Sequence, residues 1–153
     1  TAAGDPEAGI RLPQAVFESR ISDLIEIAGF ARMDEKTVTR AVVESGAAIE
    51  DWSLRKEARD GKPVLRLYAE FRGEDGAAAA ADGIHARLRE LNKDYRDLEV
   101  MLRERPLEIV TLAKGSFARY YEARRKAGLH LAHLKPPRMN ASDEAIAALR
   151  GSS

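Results

Sequence analysis

Pro106-Leu107-Glu108-Ile109-Val110-Thr111-Leu112, followed by Gly115-Ser116-Phe117, Gly128 and Lys135-Pro136-Pro137-Arg138, is the stretch that sets the architecture. The short apolar run Leu107–Leu112, opened by a proline, reads as a buried strand. Ser116 reads as the N-cap of a helix whose face carries Phe117, Tyr120, Tyr121 and Arg124. Gly128 stands where that helix must stop. Two adjacent prolines bar a helix through 136–137, so residues 129–139 form a stiffened loop with Lys135 and Arg138 on it. The order is strand, helix, then a rigid loop carrying cations.

Working upstream, Ile84, Leu88, Leu91, Tyr95 and Leu98 recur at helical spacing and predict one long helix, preceded by the loop Gly73-Glu74-Asp75-Gly76. Ile49–Arg55 and Val64–Phe71 read as two strands of a hairpin turning at Asp60-Gly61, a dipeptide that tolerates positive φ. Imperfect alternation around Trp52 and Leu54 leaves their register open by a residue or two. Asp34 reads as a helix N-cap, with Val38, Ala41 and Val42 on one face and Gly46 at the C-terminal stop. Leu24-Ile25-Glu26-Ile27 leans toward strand. Ser142 is expected to cap a short last helix. Residues 1–19, with Gly4, Pro6, Gly9 and Pro13, form an extended lead-in, and 20–153 form the domain. The fold class is α+β: a mixed sheet of about four strands, including the hairpin, packed with three to four helices.

Composition narrows the function. The 153 residues suit one core, 44% are apolar, and 25 basic residues balance 25 acidic ones. That balance gives no pull toward nucleic acid, and the absence of a long apolar run argues against a spanning helix. No cysteine is present, which suits a cytoplasmic protein. Neither a phosphate-binding loop nor a dinucleotide fingerprint nor a nucleophile elbow occurs. The histidines, His85, His130 and His133, lack the spacing of a ligand set, so no metal is expected on this chain. The basic run Arg119, Arg124, Arg125 and Lys126 reads as a solvated helix face. The opening Thr1-Ala-Ala-Gly-Asp-Pro reads as the start of a piece of something longer.

From about Arg20 to Arg138 the chain resembles the C-terminal domain of the auxin-responsive promoter family of acyl-acid amido synthetases, adenylate-forming enzymes. The family pattern has a Pro-Leu-Glu-Ile strand, a Gly-Thr-Phe helix start, a glycine ending that helix and a Lys-x-Pro-Arg loop. Here these are Pro106–Ile109, Gly115-Ser116-Phe117, Gly128 and Lys135–Arg138. Asn92 with Tyr95-Arg96 is similar to its Asn-x-x-Tyr-Arg helix. Glu50-Asp51-Trp52-Ser53 and Leu67-Tyr68-Ala69-Glu70-Phe71 are similar to its hairpin strands. Ser116 stands for a usual Thr, His133 for a usual Gln, and Glu99 where a basic residue often follows. Gly29-Phe30-Ala31-Arg32 departs from the Gly-Glu-Lys version of many bacterial relatives.

The resemblance implies a small lid on a larger ligase that uses ATP and Mg²⁺, both bound mainly by an N-terminal adenylation domain of the same polypeptide. The lid completes acyl-adenylate formation from a small carboxylic acid, then rotates so that an amine, such as an amino acid, can attack. Lys135 is the implied catalytic cation, opposing the repulsion between carboxylate and α-phosphate. Arg20 is implied to bond the nucleotide ribose, and Asp23 to be the hinge. Arg138 either contacts phosphate or locks its loop to an acidic neighbour. The isolated fragment is expected to be inactive. Two rival readings stand: the lid of a coenzyme A ligase, and a free-standing binding or dimerisation module. Neither nucleic acid nor membrane is an expected partner.

Overall fold

The computed structural model describes residues 24–73, 76–128 and 138–151. A ribbon of two antiparallel strands opens it, β1 (Leu24–Ile27) and β2 (Ala31–Asp34), with Ile27 paired to Ala31. Ala28 and Gly29 at the bend both have positive φ. Strand β2 is absent from the sequence reading, which has only a helix start here, because four residues carry too little alternation to declare themselves. Helix α1 (Glu35–Glu44) follows at once. The Asp34 carboxylate accepts from Thr37 N at 2.8 Å, as expected of its cap, and Gly46 follows the end of α1 at φ 78°.

The hairpin is present and longer than expected: β3 (Ile49–Arg59) pairs antiparallel with β4 (Lys62–Phe71). Arg59 faces Lys62 across Asp60 (φ 52°) and Gly61 (φ 78°), a two-residue turn with both centres left-handed. The turn fixes the register that Trp52 and Leu54 leave open, and a bulge between Ile49 and Asp51 absorbs the irregularity. Strand β5 (Leu107–Leu112) joins β4 in parallel, giving a three-stranded sheet in the order β3-β4-β5. The five described strands thus divide between a ribbon and a mixed sheet, with five described helices around them.

One long helix was expected over Ile84–Leu98; there are two, α2 (Ala77–Leu91) and α3 (Lys93–Leu102). Asn92 leaves helical geometry at φ −138°, and its side chain accepts from Tyr95 N at 2.8 Å to start α3. The same amide donates to the Arg32 carbonyl, so the break also ties α3 to the ribbon. Apolar spacing runs unbroken through the junction and hides it; the N-cap propensity of Asn is the signal that reveals it.

Cross-strand pairs assign two sheet faces. Trp52, Leu54, Leu65, Leu67, Ala69 and Phe71 point to the main core, where Ile25, Met33, Val38, Ile84, Tyr95 and Leu98 join them from the ribbon and from α1–α3. The opposite face carries Tyr68 and Leu112 against α4 (Ser116–Lys126) and α5 (Asp143–Leu149). Ser142 caps α5, accepting from Ala145 N at 3.1 Å. No described helix is long and apolar enough to cross a membrane.

Candidate functional site

The segment Arg138–Asn140 carries the sequence site into the described structure. It lies along the free edge of β3: Leu54 N donates to the Arg138 carbonyl at 2.7 Å, and Asn140 N donates to the Leu54 carbonyl at 2.9 Å. Met139 is fully buried beneath this short parallel bridge. The chain emerging from the proline loop is therefore gripped by backbone before α5 begins.

The Arg138 guanidinium sits 4.9 Å from the centre of the Trp52 ring, and Nη2 donates to Asp51 Oδ1 at 3.3 Å. A cation stacked on an aromatic face and held by a carboxylate loses most of its freedom. The acidic neighbour weighed for Arg138 is Asp51. Its Nε is buried without an acceptor among the described residues. Tyr121 lies close by, its hydroxyl pKa raised by burial and by the negative charge of Asp51.

Beside this clamp is an open cleft of about 500 Å³ lined by Glu50, Asp51, Arg72, Lys114, Phe117 and Tyr121, among others. Its floor is the start of α4, where one expectation needs correcting. Ser116 does not cap this helix; Gly115 occupies the N-cap position at φ 87°, without a side chain to offer. The cap comes from the sheet instead. Glu70, buried at the end of β4, accepts from Gly115 N at 2.8 Å and from Phe117 N at 3.0 Å. Ser116 Oγ turns back to the Ala113 carbonyl at 2.6 Å. Proximity in sequence favoured Ser116, and the parallel register of β4 and β5, which sequence does not reveal, delivered Glu70.

Further along the same face runs a charge ladder. Glu57 takes Arg55 and Arg66 at 2.6 Å each and the Tyr68 hydroxyl at 2.5 Å; Glu108 takes Arg66 at 2.7 Å and Arg59 at 3.0 Å. Arg55 reaches on to Asp143 at the start of α5. Burial works to raise the Glu57 pKa, yet the hydrogen bonds from Tyr68, Arg66 and Arg55 win and hold it below the usual range. Hydrogen bonds from Arg66 and Arg59 lower that of Glu108.

His85 on α2 is buried between the Tyr95 hydroxyl, 2.6 Å from Nδ1, and Glu99, 3.1 Å from Nε2. Burial depresses its pKa against the pull of Glu99. This relay joins α2 to α3 on the far side of the core and serves as a fastening.

Lys135, Arg20 and Asp23 lie outside the described residues. Arg138 is the sequence-predicted site residue that the structure describes. Among the described residues no group of three or more acidic, histidine or cysteine side chains is arranged to hold a metal ion. What sequence reasoning missed is the clamp itself: Asp51 and Trp52 were read only as strand residues.

Residues 34–144 match the model of the GH3 family C-terminal domain. Among solved structures, the chain is similar to a GH3.15 acyl acid amido synthetase, with TM-score 0.67 at 15% identity, covering 84% of this chain and 24% of that one. The AtGH3.15 acyl acid amido synthetase in complex with 2,4-DB gives TM-score 0.66 at 16% identity, covering 84% and 25%. The chain thus spans about a quarter of the length of these relatives. Comparison with curated protein sequences finds no match.

Proposed function

Since the chain belongs to the GH3 family as its C-terminal domain, we propose that it is the lid of an ATP-dependent acyl-acid amido synthetase. In this reading a carboxylate oxygen attacks the α-phosphorus of ATP, forming an acyl-adenylate and releasing pyrophosphate. An amine then attacks the acyl carbon and AMP leaves. The ATP, Mg²⁺ and acid sites belong to a larger N-terminal domain, with Arg20 at the ribose and Asp23 as the hinge between the two.

This chain's own contribution is Lys135. Two anions must meet in the first step, and a point charge beside them stabilises the transition state more than the separated reactants. The observation that carries the reading is Lys135-Pro136-Pro137-Arg138 in its place after the β5–α4 unit, with Arg138 pinned to Trp52 and Asp51. Arg138 is three residues past Lys135, a reach of at most about 11 Å. A stiff tether to a fixed anchor suits a cation that must arrive at one spot.

The test is ATP–pyrophosphate exchange by the full-length enzyme across a panel of carboxylic acids, with and without Lys135→Ala. We expect exchange to fall by about a hundredfold or more. Exchange unaffected by the substitution removes Lys135 from the chemistry. No exchange from a folded parent with any acid favours a non-catalytic module. Transfer to coenzyme A in place of amines makes it a thioester ligase. The isolated chain is expected to show no exchange.

A further inference from the structure

Between α2 and α3 runs a line of polar side chains whose protons have few places to go. His85 is buried on α2, with the Tyr95 hydroxyl 2.6 Å from Nδ1 and Glu99 Oε2 3.1 Å from Nε2. Glu99 Oε1 is held in turn by Arg89 Nε at 2.9 Å. Tyr95 is fully buried, and its ring meets the imidazole edge-on with centroids 5.4 Å apart. Among the described residues, His85 Nδ1 is the partner of the Tyr95 hydroxyl.

A carboxylate paired with arginine can only accept, so the hydrogen between His85 and Glu99 belongs on Nε2. Nδ1 is then bare and accepts from Tyr95, whose hydroxyl pKa is pushed up by burial. The other neutral form fails twice. A bare Nε2 faces the carboxylate, and the hydroxyl hydrogen has no acceptor among the described residues. A doubly protonated ring keeps the Glu99 bond and strengthens it. Its new Nδ1–H, however, points at the Tyr95 oxygen and turns the hydroxyl hydrogen into the core, where leaving it unpaired is costly.

We propose that His85, Tyr95 and Glu99 form an acid-released clip between α2 and α3, closed while His85 is neutral with its proton on Nε2 and opened when Nδ1 takes up a second. The charges around the ring pull both ways. Glu99 favours a cation there; Arg89 and Arg105 oppose it, Arg105 being paired with Asp82 at 2.7 Å. The Glu44–Arg87 pair that ties α1 to α2 lies two positions along, on another side of the helix. Strand β5 turns Leu107 and Ile109 toward the main core and Glu108 into the ladder. Burial is the largest influence and holds the ring below the ordinary value of 6.5. The unfolded chain therefore takes the proton first as pH falls. The clip contributes fully above 6.5 and is lost as pH drops through the lowered folded value.

Histidine-selective NMR of the chain, with the His85 signals assigned by their loss in His85→Gln, and amide hydrogen exchange across the same pH range test this. Near neutral pH we expect a bare Nδ1 and a protonated Nε2, with a titration midpoint below 6.5. As pH passes that midpoint, amide protection at the α2–α3 junction is expected to fall about tenfold, the scale of one buried hydroxyl left unpaired, while β3 and β4 keep theirs. His85→Gln, which cannot titrate, is expected to lose that step. Glu99→Gln removes the charge that favours the imidazolium and is expected to move the midpoint to still lower pH. A proton on Nδ1 near neutral pH, a midpoint at or above 6.5, or protection that stays level through the midpoint overturns the proposal. So does a step that survives in His85→Gln, or one of equal size in the sheet, which marks global unfolding.

Discussion

The two faces of the three-stranded sheet are made of different materials. On one, Leu54, Leu65, Leu67 and Phe71 meet the ribbon and helices α1–α3 in a continuous apolar core. On the other, a small apolar cluster around Tyr68, Phe117 and Ile146 shares the surface with the Arg55–Glu57–Arg66–Glu108 ladder and the Glu70 cap. The first face supplies non-directional stabilisation; the second supplies direction. Apolar contact tolerates small shifts, whereas a carboxylate accepting two backbone donors allows few. Helix α4, which lines the cleft, and helix α5, which follows residue 138, both pack on this second face.

The sharpest way to break this contrast is Leu67→Ala on the apolar face. It removes a fully buried side chain from the central strand and is expected to cost about 2–5 kcal/mol of unfolding free energy in urea. A loss below about 1 kcal/mol would mean the core is not where the stability lies.

Glu70→Ala strips the cap from α4 and leaves Gly115 N and Phe117 N without their acceptor. We expect about 1–3 kcal/mol of destabilisation, with Glu70→Gln recovering a large part of it. Ser116→Ala, by contrast, should cost less, since its hydroxyl donates back to the Ala113 carbonyl and accepts only a long bond from Arg119, at 3.4 Å. If Ser116→Ala proved the more damaging in thermal melts, the sheet-borne cap would be refuted.

Asn92→Ala tests the break between α2 and α3. Losing the N-cap bond to Tyr95 N is expected to cost about 1 kcal/mol. Hydrogen exchange should rise in the first turn of α3 and not in α2; uniform protection would indicate that the helix runs through.

The smallest effect belongs to the ladder. Glu57 and Glu108 have folded-state pKa values below the unfolded value of 4.5. The unfolded chain therefore binds protons first as pH falls. The ladder's contribution is complete above the unfolded value and is lost as pH drops through the lowered folded values. Glu108→Gln should cost under about 1 kcal/mol at neutral pH, its partners being partly solvated, and should flatten the acid limb of stability against pH. An unchanged acid limb would show that the ladder is decorative.

Much of this was legible in the residues. Asp34, Gly46, Asp60-Gly61, Gly128 and Ser142 punctuate the chain where the elements begin and end, because capping and positive φ are local matters. The order of motifs from Pro106 to Arg138 carried the family, which the match over 34–144 bears out. The site was legible only in part. Arg138 was singled out, but its partners Asp51 and Trp52 lie 87 and 86 positions away in sequence and carry no local mark. Lys135, Arg20 and Asp23 rest on the resemblance.

By itself the sequence determined most of the element types, their main punctuation and the family, since each depends on neighbours within a few residues or on the order of a long pattern; strand β2 and the α2–α3 break escaped it. Only the tertiary structure decided that Glu70 caps α4, that the strands split into a ribbon and a sheet, and that Asn140 meets Leu24. Each of those contacts joins segments brought together by β-register and burial. Register is a property of paired strands, and neither strand carries it alone.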